Sequence, residues 1–236
     1  MPISALFDRG AARYDLLVGL NPGYHAELRR AARALAERVP PVDGPRRVID
    51  LACGSGASTR ALAEALPEAR VLGLDTSPGM LAQARAKAWP DRVAFVEATA
   101  GRLDVAELGR GGWDGIQAAY LFRNVAEAER DAAIAETFAL LAPGGWLVVQ
   151  DYSVAGRAEA RWRWNIVCWL GIIPLGVLLD RNLGLYRYLW RSVLDFDSLR
   201  RFGDRLVEAG FVEVSRHTAS GWQQGILHTF VARKPG

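Results

Sequence analysis

Short apolar runs alternate with stretches in which apolar residues recur every three or four positions. Residues 4–39 read as helical, broken near Asn21-Pro22-Gly23, with Leu28, Ala32, Leu35 and Val39 on one face. Pro40-Pro41-Val42-Asp43-Gly44-Pro45 is a linker. Strands are predicted at 47–51, 70–74, 92–97, 113–118 and 146–151, the last entered through the Pro143-Gly144-Gly145 turn. Helices are predicted at 58–66, with Ser55 or Ser58 as cap, from Ser77-Pro78 with Met80, Leu81 and Ala84 inward, at 126–141, and at 195–209. Strands at 211–217 and 226–233 close the chain. Alternation of strand and helix implies a parallel sheet covered on both faces. Two consecutive strands with a short connection imply an antiparallel finish. Residues 1–42 are expected to form a helical cap and 155–194 a helical insertion, within one α/β domain spanning 1–236.

The most specific local feature is Val48-Ile49-Asp50-Leu51-Ala52-Cys53-Gly54-Ser55-Gly56, answered by Val71-Leu72-Gly73-Leu74-Asp75. An apolar strand enters a glycine turn, a helix follows, and a second strand ends on an acid. This is the opening βαβ unit of a nucleotide-type fold, in which the acid is placed to accept hydrogen bonds from a ribose diol. A dinucleotide fingerprint needs a third glycine where Thr59 stands, and no Gly-Lys-Ser/Thr follows, so neither a pyrophosphate nor an ATP phosphate loop is indicated. Asp50, directly or through water, suits an ammonium or sulfonium centre and repels phosphate. The plain alternative is a glycine turn that only joins strand to helix.

Composition narrows the partners. The chain has 236 residues, enough for an α/β domain with a sizeable core, and half of them are apolar. A net charge of +3 without a long basic block does not point to nucleic acid. Two cysteines, Cys53 and Cys168, are too few for a disulfide framework or a zinc site, and a reduced, cytoplasmic setting is expected. Asp8 and Arg9 interrupt the first apolar stretch, unlike a secretory signal.

The glycine turn resembles the first motif of class I S-adenosylmethionine (SAM) methyltransferases, which have a seven-stranded Rossmann-like sheet with the last strand antiparallel. Further segments are similar to one subfamily, the ubiquinone/menaquinone biosynthesis C-methyltransferases. These are Phe7-Asp8-Arg9 with Ala12-Arg13-Tyr14-Asp15, then Leu121-Phe122-Arg123-Asn124-Val125, then Pro143-Gly144-Gly145 with Asp151-Tyr152-Ser153, and finally Ile173-Pro174-Leu175-Gly176 with Tyr186-Arg187-Tyr188-Leu189 and Ser192. The chain departs from that pattern at Leu17-Val18, at Thr99 and at Asp151, where the family has Met-Asn, Asp or Asn, and Glu. The resemblance implies a SAM site drawn from Tyr14, Asp50, Ala52, Gly54, Ser55, Gly56, Asp75, Thr76, Met80, Thr99, Ala100 and Ala119. Tyr14 would meet the methionyl carboxylate, and Thr99 and Ala100 would flank the adenine. Met80 would pack on the ring or serve the core alone.

Methylation of a phenolic ring carbon needs a cation or donor that favours phenolate, and a base or base-activated water for the proton that leaves. Arg123, just past the fourth strand, is the candidate for the first role; its ordinary alternative is an ion pair to Glu127. Asn124 would fix the acceptor or a water. Asp151 would act as base, hold the acceptor or merely cap its strand, and His25 and His228 are bases by residue type.

The uncharged run 164–179 is shorter than a bilayer span and contains Gly and Pro. Trp162, Trp164 and Trp169 beside arginines suit a membrane interface. Residues 162–179 are therefore expected to form a lid over an apolar acceptor, with peripheral membrane contact, or to pack on the domain or on a second copy in a homodimer. The favoured reading is SAM-dependent C-methylation of a prenylated quinol or similar apolar aromatic acceptor. The alternatives are a natural-product tailoring O-, N- or C-methyltransferase and a non-catalytic SAM-fold binding subunit.

Overall fold

Each of the seven runs predicted as a strand forms one. In the computed structural model, which describes residues 19, 21, 23–39, 43–180 and 183–236, the strands are β1 (Arg47–Leu51), β2 (Arg70–Asp75), β3 (Val93–Glu97), β4 (Trp113–Ala119), β5 (Leu141–Tyr152), β6 (Val212–Thr218) and β7 (Leu227–Arg233). They form one seven-stranded sheet of order β3-β2-β1-β4-β5-β7-β6. β1 is parallel to β2 and β4, β2 to β3, and β4 to β5, whereas β7 runs antiparallel to both β5 and β6. The Rossmann-like expectation, with its antiparallel final strand, therefore holds.

The helices are α1 (Tyr24–Ala36), α2 (Ala57–Ala65), α3 (Pro78–Arg85), α4 (Val105–Leu108), α5 (Glu127–Leu140), α6 (Ala158–Val167), α7 (Ile173–Asp180), α8 (Leu183–Leu194) and α9 (Leu199–Glu208). In α1, Leu28, Ala31, Ala32 and Leu35 lie one turn apart and are buried, so the helix lays one stripe on the sheet. Alternate strand residues serve opposite faces. Val48, Val71, Val148 and Val231 join a core with α1, α2 and α6, while Ile49, Leu74, Val149 and Ala232 join a second core with α5 and α9. α6 passes through a π-helical turn (Cys168–Ile172) directly into α7. Trp164, Cys168, Ile173, Tyr186 and Val193 bury the insertion's inner side in the first core. No described helix is long and apolar enough to cross a membrane.

Several local expectations are corrected. Neither Ser55 nor Ser58 caps α2; Gly56 stands at the cap with a left-handed backbone, and Ser58 turns back toward β1. Ser77 does cap α3, accepting from the Met80 N–H at 3.1 Å. β5 starts at Leu141 rather than 146, because Leu141 pairs with Trp113 and Gly144 and Gly145 bond to the C-terminal segment. α9 starts at Leu199, where Ser198 accepts from the Arg201 N–H, rather than at 195. The predicted helix over 4–18 lies outside the described residues.

Candidate active site

Parallel strands bring their carboxyl ends to one edge, and the loops leaving β1, β2, β4 and β5 meet there. The β1 loop is built from left-handed backbone: φ is 66° at Ala52, 54° at Gly54 and 93° at Gly56. At Gly56 a Cβ would also lie 2.8 Å from the Trp89 ring, so only glycine fits. At Gly54 nothing lies within 4 Å of the Cβ position, and the bare backbone faces an open cavity. Asp75 holds this loop. Its Oδ2 accepts from the Gly54 N–H at 2.7 Å and its Oδ1 from the Ser77 N–H at 2.9 Å.

The cavity encloses about 490 Å³. Its wall includes Ala52, Gly54, Ser55, Asp75, Thr76, Met80, Thr99, Ala100 and Ala119, nine of the twelve residues expected at a cofactor. The Thr76 and Thr99 hydroxyls share a hydrogen bond of 2.7 Å at its rim. Of the other three, Tyr14 lies outside the described residues, Gly56 shapes the turn from behind, and Asp50 is fully buried behind the wall. Ser58 and Thr59, in the first turn of α2, donate their hydroxyls to Asp50 Oδ2 at 2.7 and 2.6 Å. Burial pushes the Asp50 carboxyl up to about 6, against the pull of those two bonds. Asp50 thus ties β1 to α2 under the glycine turn. Its Oδ1 has no hydrogen-bond partner among the described residues.

A second cavity of about 430 Å³ lies between the sheet edge and the insertion, and it is largely apolar. A file of aromatic rings forms its floor. Tyr24 stacks on Tyr120 at 5.4 Å, Tyr120 on Tyr152 at 5.2 Å, and Tyr152 tilts against Trp164 at 5.3 Å. Cys168, Leu175, Tyr186 and Leu189 of the insertion are among the residues that close it over. Tyr24 and Tyr120 line both cavities. Tyr120 leaves β4 with φ 59°, a strained value for a bulky residue that turns the chain across the sheet edge.

The next residues form a single 3-10 turn, Phe122–Asn124, fixed from three sides. From β5, Asp151 Oδ2 accepts from the Arg123 backbone N–H at 3.0 Å, and Oδ1 pairs with Arg123 Nε at 3.1 Å. From α5, Arg130 Nε donates to the Val125 carbonyl at 3.1 Å while its Nη1 bonds Asp197 at 3.0 Å. From α8, Ser192 Oγ accepts from Arg123 Nη1 at 3.2 Å and Tyr188 donates its hydroxyl to Asn124 Oδ1 at 3.2 Å. Asn124 Oδ1 also accepts from Arg123 Nη1 at 2.8 Å, and its amide donates to the Tyr120 carbonyl. Arg123 borders both cavities and a third, polar cleft of about 520 Å³ that includes Asn124, Tyr188 and Ser192.

The partner of Arg123 is therefore Asp151 and not Glu127. Asp151 lines none of the three cavities; it sits behind Arg123 with both oxygens engaged, so it positions the guanidinium rather than meeting an acceptor. Burial raises its carboxyl to about 6, with Arg123 opposing. His25 and His228 line none of the three cavities either. His228 is buried opposite Asp151 on β7, and burial lowers its imidazole to about 4. Sequence reasoning missed Tyr24, Tyr120 and Tyr152 as cavity residues. Tyr188 and Ser192 were visible as a motif, but their contact with Arg123 was not.

This geometry accords with what the chain is similar to. Residues 48–145 match a family model described as a methyltransferase domain. A demethylmenaquinone methyltransferase of Thermus thermophilus is 36% identical over 208 residues, covering 87% of this chain and 91% of the relative. A ubiquinone/menaquinone biosynthesis C-methyltransferase of Methylobacterium nodulans is 32% identical, covering 93% and 86%. The N-methyltransferase NodS from Bradyrhizobium japonicum, solved with S-adenosylhomocysteine, superposes with a TM-score of 0.68 over the full length of both chains at 18% identity, which bears on the fold alone. Fold and matched family together define a SAM-dependent methyltransferase. Within that class, the chain belongs to the ubiquinone/menaquinone biosynthesis C-methyltransferase family.

Proposed function

We propose that this enzyme methylates a ring carbon of a prenylated quinol, with SAM in the 490 Å³ cavity, the acceptor in the apolar 430 Å³ cavity, and Arg123 between them. The observation that carries this reading is the seam: the Arg123 guanidinium and the Tyr24 and Tyr120 rings border both cavities. The names of the relatives, which act in menaquinone and ubiquinone methylation, support the acceptor class.

The residues present fit the cofactor. Asp75 lines the cavity, and its carboxylate, already fixed by the Gly54 and Ser77 N–H groups, is the acceptor type that a ribose diol requires. Gly54 leaves room for close approach, and Met80, Ala100 and Leu121 offer apolar surface to an adenine. When bound, SAM supplies a methyl group on a sulfonium, open to in-line displacement. Holding both reactants at the seam provides much of the rate, since proximity and orientation alone are worth several kcal/mol, about 7–11 at best.

Arg123 favours the ionised acceptor hydroxyl and so raises electron density on the ring carbon. That carbon's electron pair forms the new bond to methyl. Loss of the proton from the same carbon then restores the aromatic ring. Asp151 keeps the guanidinium aimed, and Asn124, Tyr188 and Ser192 hold the turn that carries it. With His25, His228 and Asp151 away from the cavities, the proton passes to water in the polar cleft beside Arg123 and Asn124.

Incubation with methyl-labelled SAM and a panel of acceptors tests the reading. Label should enter polyprenyl naphthoquinols or benzoquinols lacking one ring methyl, at carbon, as mass spectrometry and NMR of the product would show. Transfer only to amines or hydroxyls of polar metabolites would contradict it.

A further inference from the structure

The apolar cavity opens at one place that can be read directly: Gly171 and Leu175 line it and are also exposed. The insertion that carries this mouth shows large apolar side chains to solvent, with Trp169 and Leu170 directly before Gly171 in the chain. Trp162, Trp169, Leu170, Leu178 and Leu183 are 45–79% exposed. Trp162, Ile166 and Leu170 recur every four residues and so share one side of α6 and the turn after it. Exposed apolar side chains clustered in this way mark a contact surface.

Charge selects the partner. Residues 155–194 contain six arginines against only Glu159 and Asp180, an excess larger than the +3 of the whole chain. Two copies docked through this face would bring like charges together around a symmetry axis. An anionic lipid surface would meet this excess of positive charge, with exposed Arg161 beside Trp162, while tryptophan and leucine settle at the headgroup boundary. Volume points the same way. At about 430 Å³ the cavity is of ordinary small-ligand size and cannot hold a long polyprenyl tail as well as a ring, so the tail must leave through the mouth.

We infer that the outer face of the insertion docks on an anionic bilayer, and that the acceptor ring enters the cavity from the lipid while its tail stays there. The tail's identity rests on the function proposed above; the docking surface does not.

The test is co-sedimentation with vesicles of phosphatidylcholine, with and without phosphatidylglycerol, using wild type and the double variant Leu170→Glu/Leu178→Glu. Both leucines are more than three-quarters exposed and outside the cavity lining, so folding is not at stake. Wild type should bind the anionic vesicles about tenfold or more better than neutral ones, and the variant should lose most of that binding. The variant should also lose turnover of a long-tailed acceptor in vesicles but keep turnover of a short-tailed acceptor in solution. Equal vesicle binding by both proteins, no binding by wild type, or a wild-type dimer that the variant dissolves would overturn the inference. Calorimetry with S-adenosylhomocysteine reports separately on the methyltransferase site, so loss of that binding with vesicle binding intact would count against the function and not against this surface.

Discussion

Asp50 and Asp151 stand near the ends of β1 and β5, both buried and both raised to about 6, yet they support different things. Asp151 restrains Arg123. As pH falls through about 6 it takes up a proton and the guanidinium loses its counter-charge, so kcat should decline on the acid side. Asp151→Asn should flatten that limb while leaving SAM affinity near wild type; an unchanged limb would assign it to another group. Arg123→Lys should lower kcat about a hundredfold, because a point charge does not reproduce the guanidinium's fixed fork, with little change in SAM affinity by calorimetry. Asp75→Ala should act on the other quantity, weakening SAM binding about tenfold or more through loss of a charge-assisted acceptor and of the Gly54 anchor. Asp50 gives a stability signature. Its folded value lies above the ordinary 3.8, so the native state holds its proton while the unfolded chain releases it. Native stability from this group is therefore largest below about pH 4 and is lost as pH rises toward 6. Wild type should gain on Asp50→Asn by up to about 3 kcal/mol between pH 7 and pH 4 in urea titrations, and a constant difference would contradict the burial account.

Among the elements, the β1 loop and the Phe122–Asn124 turn are the parts whose local geometry is most exacting. Gly56→Ala places a Cβ at positive φ against Trp89 and should cost about 1–3 kcal/mol, seen as a lower Tm. The Arg123 turn rests on Arg130, which Asp197 holds together with Arg205 at 2.8 Å. Asp197→Ala leaves the buried Arg130 short of its counter-ion, while Arg205 keeps Asp131 at 2.6 Å, and should destabilise by about 3–5 kcal/mol, whereas a surface pair such as Arg200–Asp204 should matter little. These elements were unequally legible in the sequence. β1 and β2 were readable to within a residue because their apolar runs stop at a glycine turn and at Asp75; β4, which carries Asp114 and Gln117, was placed as closely. The α2 start was misread because a serine beside a helix start has two uses, and here Ser58 satisfies a buried carboxylate instead of a backbone N–H. The single turn of α4, capped by Asp104, is too short to leave a periodic signal. The file Tyr24–Tyr120–Tyr152–Trp164 was invisible, because four rings far apart in sequence become neighbours only through sheet order.

At the scale of the whole molecule, one sheet edge places two cavities against one arginine, with the insertion closing over the apolar one. The cavity at the glycine turn, where SAM is proposed to bind, was legible because it depends on one contiguous βαβ unit whose glycines and acid are tied to backbone geometry. The apolar cavity, where the acceptor is proposed to bind, is assembled from α1, β4, β5 and α6–α8, and depends on shape that no short motif encodes. The central claim is transfer of methyl to a ring carbon, and it is tested most directly with a prenylated quinol acceptor deuterated at the open ring position. Mass spectrometry of the product should show one methyl gained and the deuterium lost with every turnover. A methylated product that keeps its deuterium would place the methyl on oxygen or elsewhere and contradict the account.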